Sequence, residues 1–176
     1  LVAAQYGLWN REILPALARE GIRILEIGAL SPEQRAWSAG YFKEELFPVL
    51  TPLAVDATHP FPKVLNKSHN LIVRTRRPGG DPEYSVVQVP RIAPRMVLLP
   101  RGDGPDEPWN YVQLSSLIKA HVGELFPGLE VDQVSALRVT RNSDLYIDDE
   151  EAENLLRTIE KELRKAAQGN AVRLEV

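Results

Sequence analysis

From residue 137 the chain alternates and then stops. Leu137 and Val139 are apolar, Arg138 and Thr140 are polar, and an Asn142-Ser143-Asp144 turn separates them from Leu145. A strand has a side-chain period of two, so burying one face would leave Arg138, Thr140 and Asn142 on the other. Arg141 falls on the apolar side or at the strand's frayed end. Beyond the turn, residues 149–169 carry Ala152, Leu155, Leu156, Ile159, Leu163 and Ala166 at helical spacing. Acids crowd the start of this stretch, Arg164 and Lys165 sit near its end, and Gly169 stops it, an order that suits the helix dipole. The pattern predicts a core strand over residues 131–139 feeding the chain's longest amphipathic helix, with two guanidinium groups near the strand's end.

The same periodicities divide the rest of the chain. Leu8, Ile13, Leu14 and Leu17 predict a helix over residues 2–20 that stops at Gly21, with Pro15 forcing a kink or a start near Asn10. Residues 22–27 alternate as a strand. Ser31-Pro32-Glu33-Gln34 reads as a capping box with proline in the first helical position. Trp37, Tyr41, Phe42 and Leu46 then give an aromatic stripe of the kind that fills a core. Residues 48–62, with four prolines, predict a stiff ordered loop rather than a flexible linker. Residues 69–75 and 84–89 predict a hairpin closed by Arg77-Pro78-Gly79-Gly80-Asp81-Pro82. Residues 95–99 predict a strand and 100–108 a polar loop. Tyr111 to Leu114 lead into a helix over about 115–125 that Pro127-Gly128 ends, and residues 171–176 form a last strand. Hairpins mixed with helices predict an α+β fold, a mainly antiparallel mixed sheet of about six strands with about four packed helices.

Composition adds limits. A chain of 176 residues, 44% hydrophobic and 26% charged, is an ordinary globular domain with enough length for a real core. There is no cysteine, which excludes disulfides, thiolate catalysis and cysteine-ligated zinc, and fits a reducing compartment. No run approaches the roughly 20 apolar residues of a membrane span. The first residue is Leu and the last residues read as a strand in progress, so the expectation is a piece of a longer protein. The net charge of −3 argues against bulk nucleic-acid binding, but it hides a gradient: −2 over residues 1–62, +6 over 63–101 and −7 over 102–176. The central basic block is either a solvated arginine face or an anion-binding surface.

Candidate chemistry is sparse. There is no phosphate-binding glycine loop, no dinucleotide fingerprint and no nucleophile elbow. Asp56 and His59 lack a third ligand at usable spacing, and His69 and His121, one in a strand and one on a helix face, have no better claim. The carboxylates of Asp148 to Glu151 suit a helix start without any metal. What remains is arginine, whose guanidinium fork fits phosphate oxygens and stays charged at any relevant pH. Arg74 and Arg76 share a strand face. Arg138 joins them if the strands are neighbours, with Arg141 at the rim. These four are the candidate polyanion-binding residues. The same spacing equally allows Arg138 and Arg141 to pair with Asp144, Asp148 or the acidic helix start.

Three motifs in order carry a resemblance. Arg138-Val139-Thr140-Arg141-Asn142-Ser143-Asp144-Leu145 runs on through the acidic helix to Val172-Arg173-Leu174-Glu175-Val176. Leu50-Thr51-Pro52-Leu53-Ala54-Val55-Asp56 runs through His59-Pro60-Phe61-Pro62 to Asn66. Ile13-Leu14-Pro15-Ala16-Leu17 precedes Gly21-Ile22-Arg23-Ile24-Leu25. Together they resemble the middle, or head, domain of bacterial polyphosphate kinases that work through a phosphohistidine, and the likeness spans essentially all of the chain. The resemblance implies that residues 1–20 are the last helix of a preceding all-helical domain and that residues 21–176 are the head domain, cut short at its C-terminal end. It implies a parent enzyme that reversibly transfers the terminal phosphate of ATP to polyphosphate with magnesium, in the cytoplasm or peripheral to the inner membrane face. The phosphate-accepting histidine belongs to a later domain, so no residue here is expected to be catalytic, and no metal or cofactor is expected in this piece. The implied partners are polyphosphate, the remaining domains and further copies of the chain. The competing expectation is an autonomous dimerisation module whose arginines only meet water.

Overall fold

The computed structural model describes residues 1–56, 61–105, 107–141 and 171–176. They form two compact units, each made of two separate stretches of chain: Leu1–Leu50 with Pro90–Pro127, and Thr51–Val89 with Gly128–Val176.

In the first unit, two prolines shape the helices. The chain opens with α1 (Val2–Leu8), a π-helical turn over Trp9–Ile13 and α2 (Leu14–Arg19). Pro15 offers no N–H to the carbonyl four residues back, and its ring would collide with that carbonyl. The wider turn resolves the conflict: the Leu14 N–H reaches back to the Trp9 carbonyl. The expected kink is thus a π turn within a continuing helix. Gly21, at φ 75°, closes the segment in the left-handed region open to glycine. The device recurs before Pro48. Helix α3 (Pro32–Tyr41) runs into a π turn over Phe42–Leu46, where the Phe47 N–H reaches the Phe42 carbonyl. The start of α3 is the predicted capping box: Ser31 Oγ accepts from the Gln34 N–H at 3.2 Å, and Gln34 Oε1 accepts from the Ser31 N–H at 3.1 Å. The Ser31 hydroxyl donates to Glu33 and lowers its pKa. Of the aromatic stripe, Phe42 and Leu46 are fully buried, while Trp37 and Tyr41 stack on each other at 5.1 Å and remain partly exposed.

A three-stranded sheet completes this unit. Strand β1 (Ile22–Leu25) pairs in parallel with β6 (Trp109–Gln113), which pairs antiparallel with β5 (Met96–Leu98). The stretch from Tyr111, expected to lead into a helix, is therefore a strand, and α4 (Leu114–His121) starts directly after it with Leu114, Leu117 and Ile118 buried.

The second unit is a five-stranded antiparallel sheet in the order β2 (Pro52–Val55), β4 (Pro82–Gln88), β3 (His69–Arg76), β7 (Glu130–Arg141), β8 (Ala171–Glu175). The β3–β4 hairpin is the one expected, turned through Gly79 at φ 74° and the Gly80 N–H to the Arg77 carbonyl. Strand β2 corrects the expected loop. It is an edge strand with Pro52 as its first residue, where a missing N–H interrupts no interior ladder. The centre of the sheet is buried on both faces. Leu71, Val73 and Val87 lie on one face, and Val64, Val86, Leu137 and Val139 cluster on the other with Val55 and Ile72.

The α+β class stands, with two corrections. The strands form two sheets, not one, and the described residues hold eight strands rather than about six. The expected Asn142-Ser143-Asp144 turn and the helix over residues 149–169 lie outside the described residues, as does His59.

Candidate functional site

Strand register decides which arginines meet. Arg74 and Arg76, two apart on β3, do share a face, and they share a partner: Arg74 Nε donates to Asp132 Oδ1 at 2.8 Å and Arg76 Nη2 to Asp132 Oδ2 at 3.3 Å. Asp132 lies where β7 slips one residue against β3, between the partners of Arg74 and Arg76 (Gln133 and Glu130). The Arg74 hydrogen bond, reinforced by the charges of Arg74 and Arg76, holds the Asp132 carboxyl below its ordinary pKa. The same contact raises that of Arg74, helped by Tyr84, its register partner on β4. Arg77 pairs with Glu83 at 3.5 Å. This corner is close to charge balance.

Arg138 does not join this group. Strands β3 and β7 are neighbours, as the argument required, but they run antiparallel, and Arg138 stands opposite His69 at the other end of β3. His69 is an odd step from Arg74 along a strand, so Arg138 also projects from the opposite face. Its partner is across the edge: Arg138 Nε meets Glu175 Oε2 at 3.4 Å, and Glu175 Oε1 is held by Arg173 Nη2.

Arg141 sits at the end of β7 on the face of Val139, the apolar side. The loop before β3 fastens it there. Lys67, at φ 56°, turns its N–H onto the Val139 carbonyl at 2.8 Å. Asn66 Oδ1 accepts from the Arg141 N–H at 2.9 Å, replacing the carbonyl that another strand residue would supply. Arg141 Nε donates to the Val64 carbonyl at 3.4 Å. Buried Asn70 ties the loop to the sheet through Nδ2, which donates to the Ser68 carbonyl and Oγ and to the Leu137 carbonyl. Asp132, Glu175, Arg173 and Asn66 were not singled out from the sequence. Asp132, Glu175 and Asn66 each meet a partner distant along the chain, so spacing offers no signal for them, whereas Arg173 and Glu175 are two apart on one strand.

His121 takes a structural place. His121 stacks on Phe42 at 5.3 Å, with Nε2 at 3.4 Å from Ser38 Oγ and Nδ1 at 3.5 Å from Glu124. The buried Ser38 hydroxyl already donates to the Arg35 carbonyl at 2.9 Å, so it accepts from the ring and is no nucleophile. Arg101 is consumed by its own loop, donating to the carbonyls of Gly104, Pro105 and Glu107 and lying over Trp109 at 4.6 Å. Among the described residues, no three His, Asp or Glu side chains gather to hold a metal ion, and no helix is long and apolar enough to cross a membrane.

Comparison with known proteins gives these corners a setting. Residues 33–176 match the family described as the polyphosphate kinase middle domain. Over its whole length the chain is 42% identical to a polyphosphate kinase of Xylella fastidiosa and 43% identical to those of Neisseria meningitidis and Burkholderia vietnamiensis. It spans 26% of the length of each of these relatives. Among solved structures, polyphosphate kinase from Porphyromonas gingivalis superimposes with a TM-score of 0.72 at 27% identity, covering 95% of this chain and 28% of that one. The family match and the full-length identity agree, and the chain belongs to the polyphosphate kinase family, as its middle domain.

Proposed function

We propose that the enzyme to which this domain belongs transfers the terminal phosphate of ATP, reversibly, to a growing polyphosphate chain in the cytoplasm, with magnesium and a phosphohistidine supplied by domains that follow. The observation that carries this reading is the 42% identity to a polyphosphate kinase over the whole of the chain. Residues 1–20 close a preceding helical domain. The remainder serves self-association and shapes the path of the polymer, with Arg74 and Arg76 at one corner of the sheet and Arg138 and Arg141 toward the other end of β7, on its two faces. Guanidinium groups suit that task because they stay charged and grip phosphate oxygens in pairs. Among the described residues no acidic set gathers for magnesium.

A second reading rests on β8. Val172 and Leu174 are each 63% exposed on an edge strand, flanked by Arg173 and Glu175. Apolar positions rimmed by charge at a sheet edge also suit a pure protein–protein contact without phosphate. One assay separates the two. The full-length enzyme is expected to make polyphosphate from ATP and to bind the polymer in a salt-sensitive way, while the 176-residue chain makes none. Synthesis by the isolated chain would overturn the placing of catalysis elsewhere. Polymer affinity unchanged by Arg74→Ala with Arg76→Ala and by Arg138→Ala with Arg141→Ala would leave the contact module standing.

A further inference from the structure

Arg173 and Glu175 enter the proposed function only as charges flanking Val172 and Leu174. Cross-strand register brings them onto one face with Arg138: Arg138 stands opposite Glu175, and Thr140 opposite Arg173. Each oxygen of Glu175 takes one guanidinium, Oε2 that of Arg138 and Oε1 that of Arg173. One carboxylate therefore holds two cations, leaving the trio with a charge of +1. All three side chains are accessible, at 50%, 57% and 34% exposure. Arg138 spends its Nε on the contact, which leaves both terminal nitrogens of its fork. Arg173 spends Nη2, which leaves Nη1 and Nε. A guanidinium carries five N–H donors, so among the described residues most of the ten take no other partner, on side chains already held in one place. Holding long arginine side chains in advance removes ordering entropy that a ligand would otherwise have to overcome.

We infer that Arg138 and Arg173 form a phosphate-binding bracket on the face opposite Arg74 and Arg76, and that Glu175 is its positioning residue. The ligand class is a linear phosphate polymer, gripped by the oxygens of its phosphate groups. This rests on the reading that the enzyme works on polyphosphate and deepens it: the contact with polymer at this end of the sheet is made by Arg138 with Arg173, from two strands, rather than by Arg138 with Arg141 along one.

The sign of a single substitution tests it. Glu175→Gln removes a negative charge. If Glu175 only neutralised its neighbours, a polyanion would bind the variant more tightly. If Glu175 positions them, binding weakens although the protein has become more positive. In the full-length enzyme, with polyphosphate of defined chain length titrated at fixed salt, we expect Glu175→Gln to weaken binding several-fold. We expect Arg138→Ala and Arg173→Ala each to weaken it about tenfold and to flatten its salt dependence. Arg173→Lys keeps the charge and loses the fork, so it should fall between wild type and Arg173→Ala. Arg77→Ala removes one still more exposed charge outside the bracket and should have a smaller effect. Tighter or unchanged binding by Glu175→Gln, or an Arg77→Ala loss as large as that of Arg173→Ala, overturns the bracket. Wild-type enzyme that binds no polyphosphate overturns the underlying reading instead. Inorganic pyrophosphate as competitor separates the sources: displacement only at far higher concentration than the polymer supports a polymer site, and equal potency overturns that part of the inference.

Discussion

Two corners of the same antiparallel sheet each tie two arginines to one acid, and they differ in how. At one, Arg74 and Arg76 come from a single strand and meet Asp132 on its neighbour. At the other, Arg138 and Arg173 come from two strands and meet Glu175 at the sheet's edge. The first corner is balanced by Asp132, with Glu83 on Arg77 and Glu130 opposite Arg76. Each trio by itself, two arginines on one acid, keeps one uncompensated charge, and the first corner is balanced only through Glu83 and Glu130. The first holds its arginines by their place on one strand. The second exists only if β7 and β8 pair in register, because neither strand carries both cations. A guanidinium pair within a strand is fixed by spacing, whereas a pair across strands is fixed by tertiary structure and is lost with it.

That contrast can be strained in order of expected effect. The largest effect comes from the centre both corners share. Leu71, 2% exposed on β3, packs on the face with Val73 and Val87, and Leu71→Ala should lower stability by about 2–5 kcal/mol. Urea denaturation should show the loss, and both corners should loosen together. Loss at one corner alone would mean that they do not depend on a common core. A smaller and one-sided effect is expected from Asn66→Ala. It strips the Arg141 N–H of its acceptor, at about 1–3 kcal/mol if no water replaces it. Hydrogen exchange at Arg141 should accelerate while that of the β3–β4 hairpin stays put, and uniform acceleration would refute a local role.

Asp132→Asn should act on the other corner only. Its partners are exposed and screened, so the melting temperature should barely move. The Arg74 Nε–H resonance should shift, and a shift at Arg138 instead would contradict the separation of the two corners. The smallest effect is in pH. The folded state holds the Asp132 carboxyl below its ordinary value of 3.8, so its contribution is fully present above that value. It is lost as pH falls through the lower folded value. Carboxyl titration by NMR should place Asp132 below the ordinary aspartate value, and Arg74→Ala should return it upward. No change in that variant would mean that Arg74 is not the cause.

Much of this was legible in residues that act on near neighbours. Ser31 and Gln34 form their reciprocal cap because the partners lie three apart on one turn. Gly21 and Gly79 mark a helix end and a hairpin turn because only a residue without Cβ enters the left-handed region freely. The pairing of Arg74 with Arg76 on one face followed from the strand period. Strand β2 was not legible, because Pro52 and the prolines around it argue for a loop and only the free edge of β4 makes a strand of it. Strand β6 was not legible either. Trp109 to Gln113 is short, runs straight into a helix, and pairs with β1, which lies beyond the whole Thr51–Val89 stretch in sequence. The one-sheet expectation failed for the same reason, since nothing local says which strands share a ladder.

The sequence alone determined the family, the α+β class, the hairpin and the caps, because these rest on residue identity and short-range geometry. The tertiary structure decided which arginines act together. Antiparallel pairing of β3 with β7 sends Arg138 to the far end of the neighbouring strand, and the parity of the strand sends it to the other face. A shift of one residue would have reversed that face, and no local pattern fixes a register that is set by packing on both sides of the sheet.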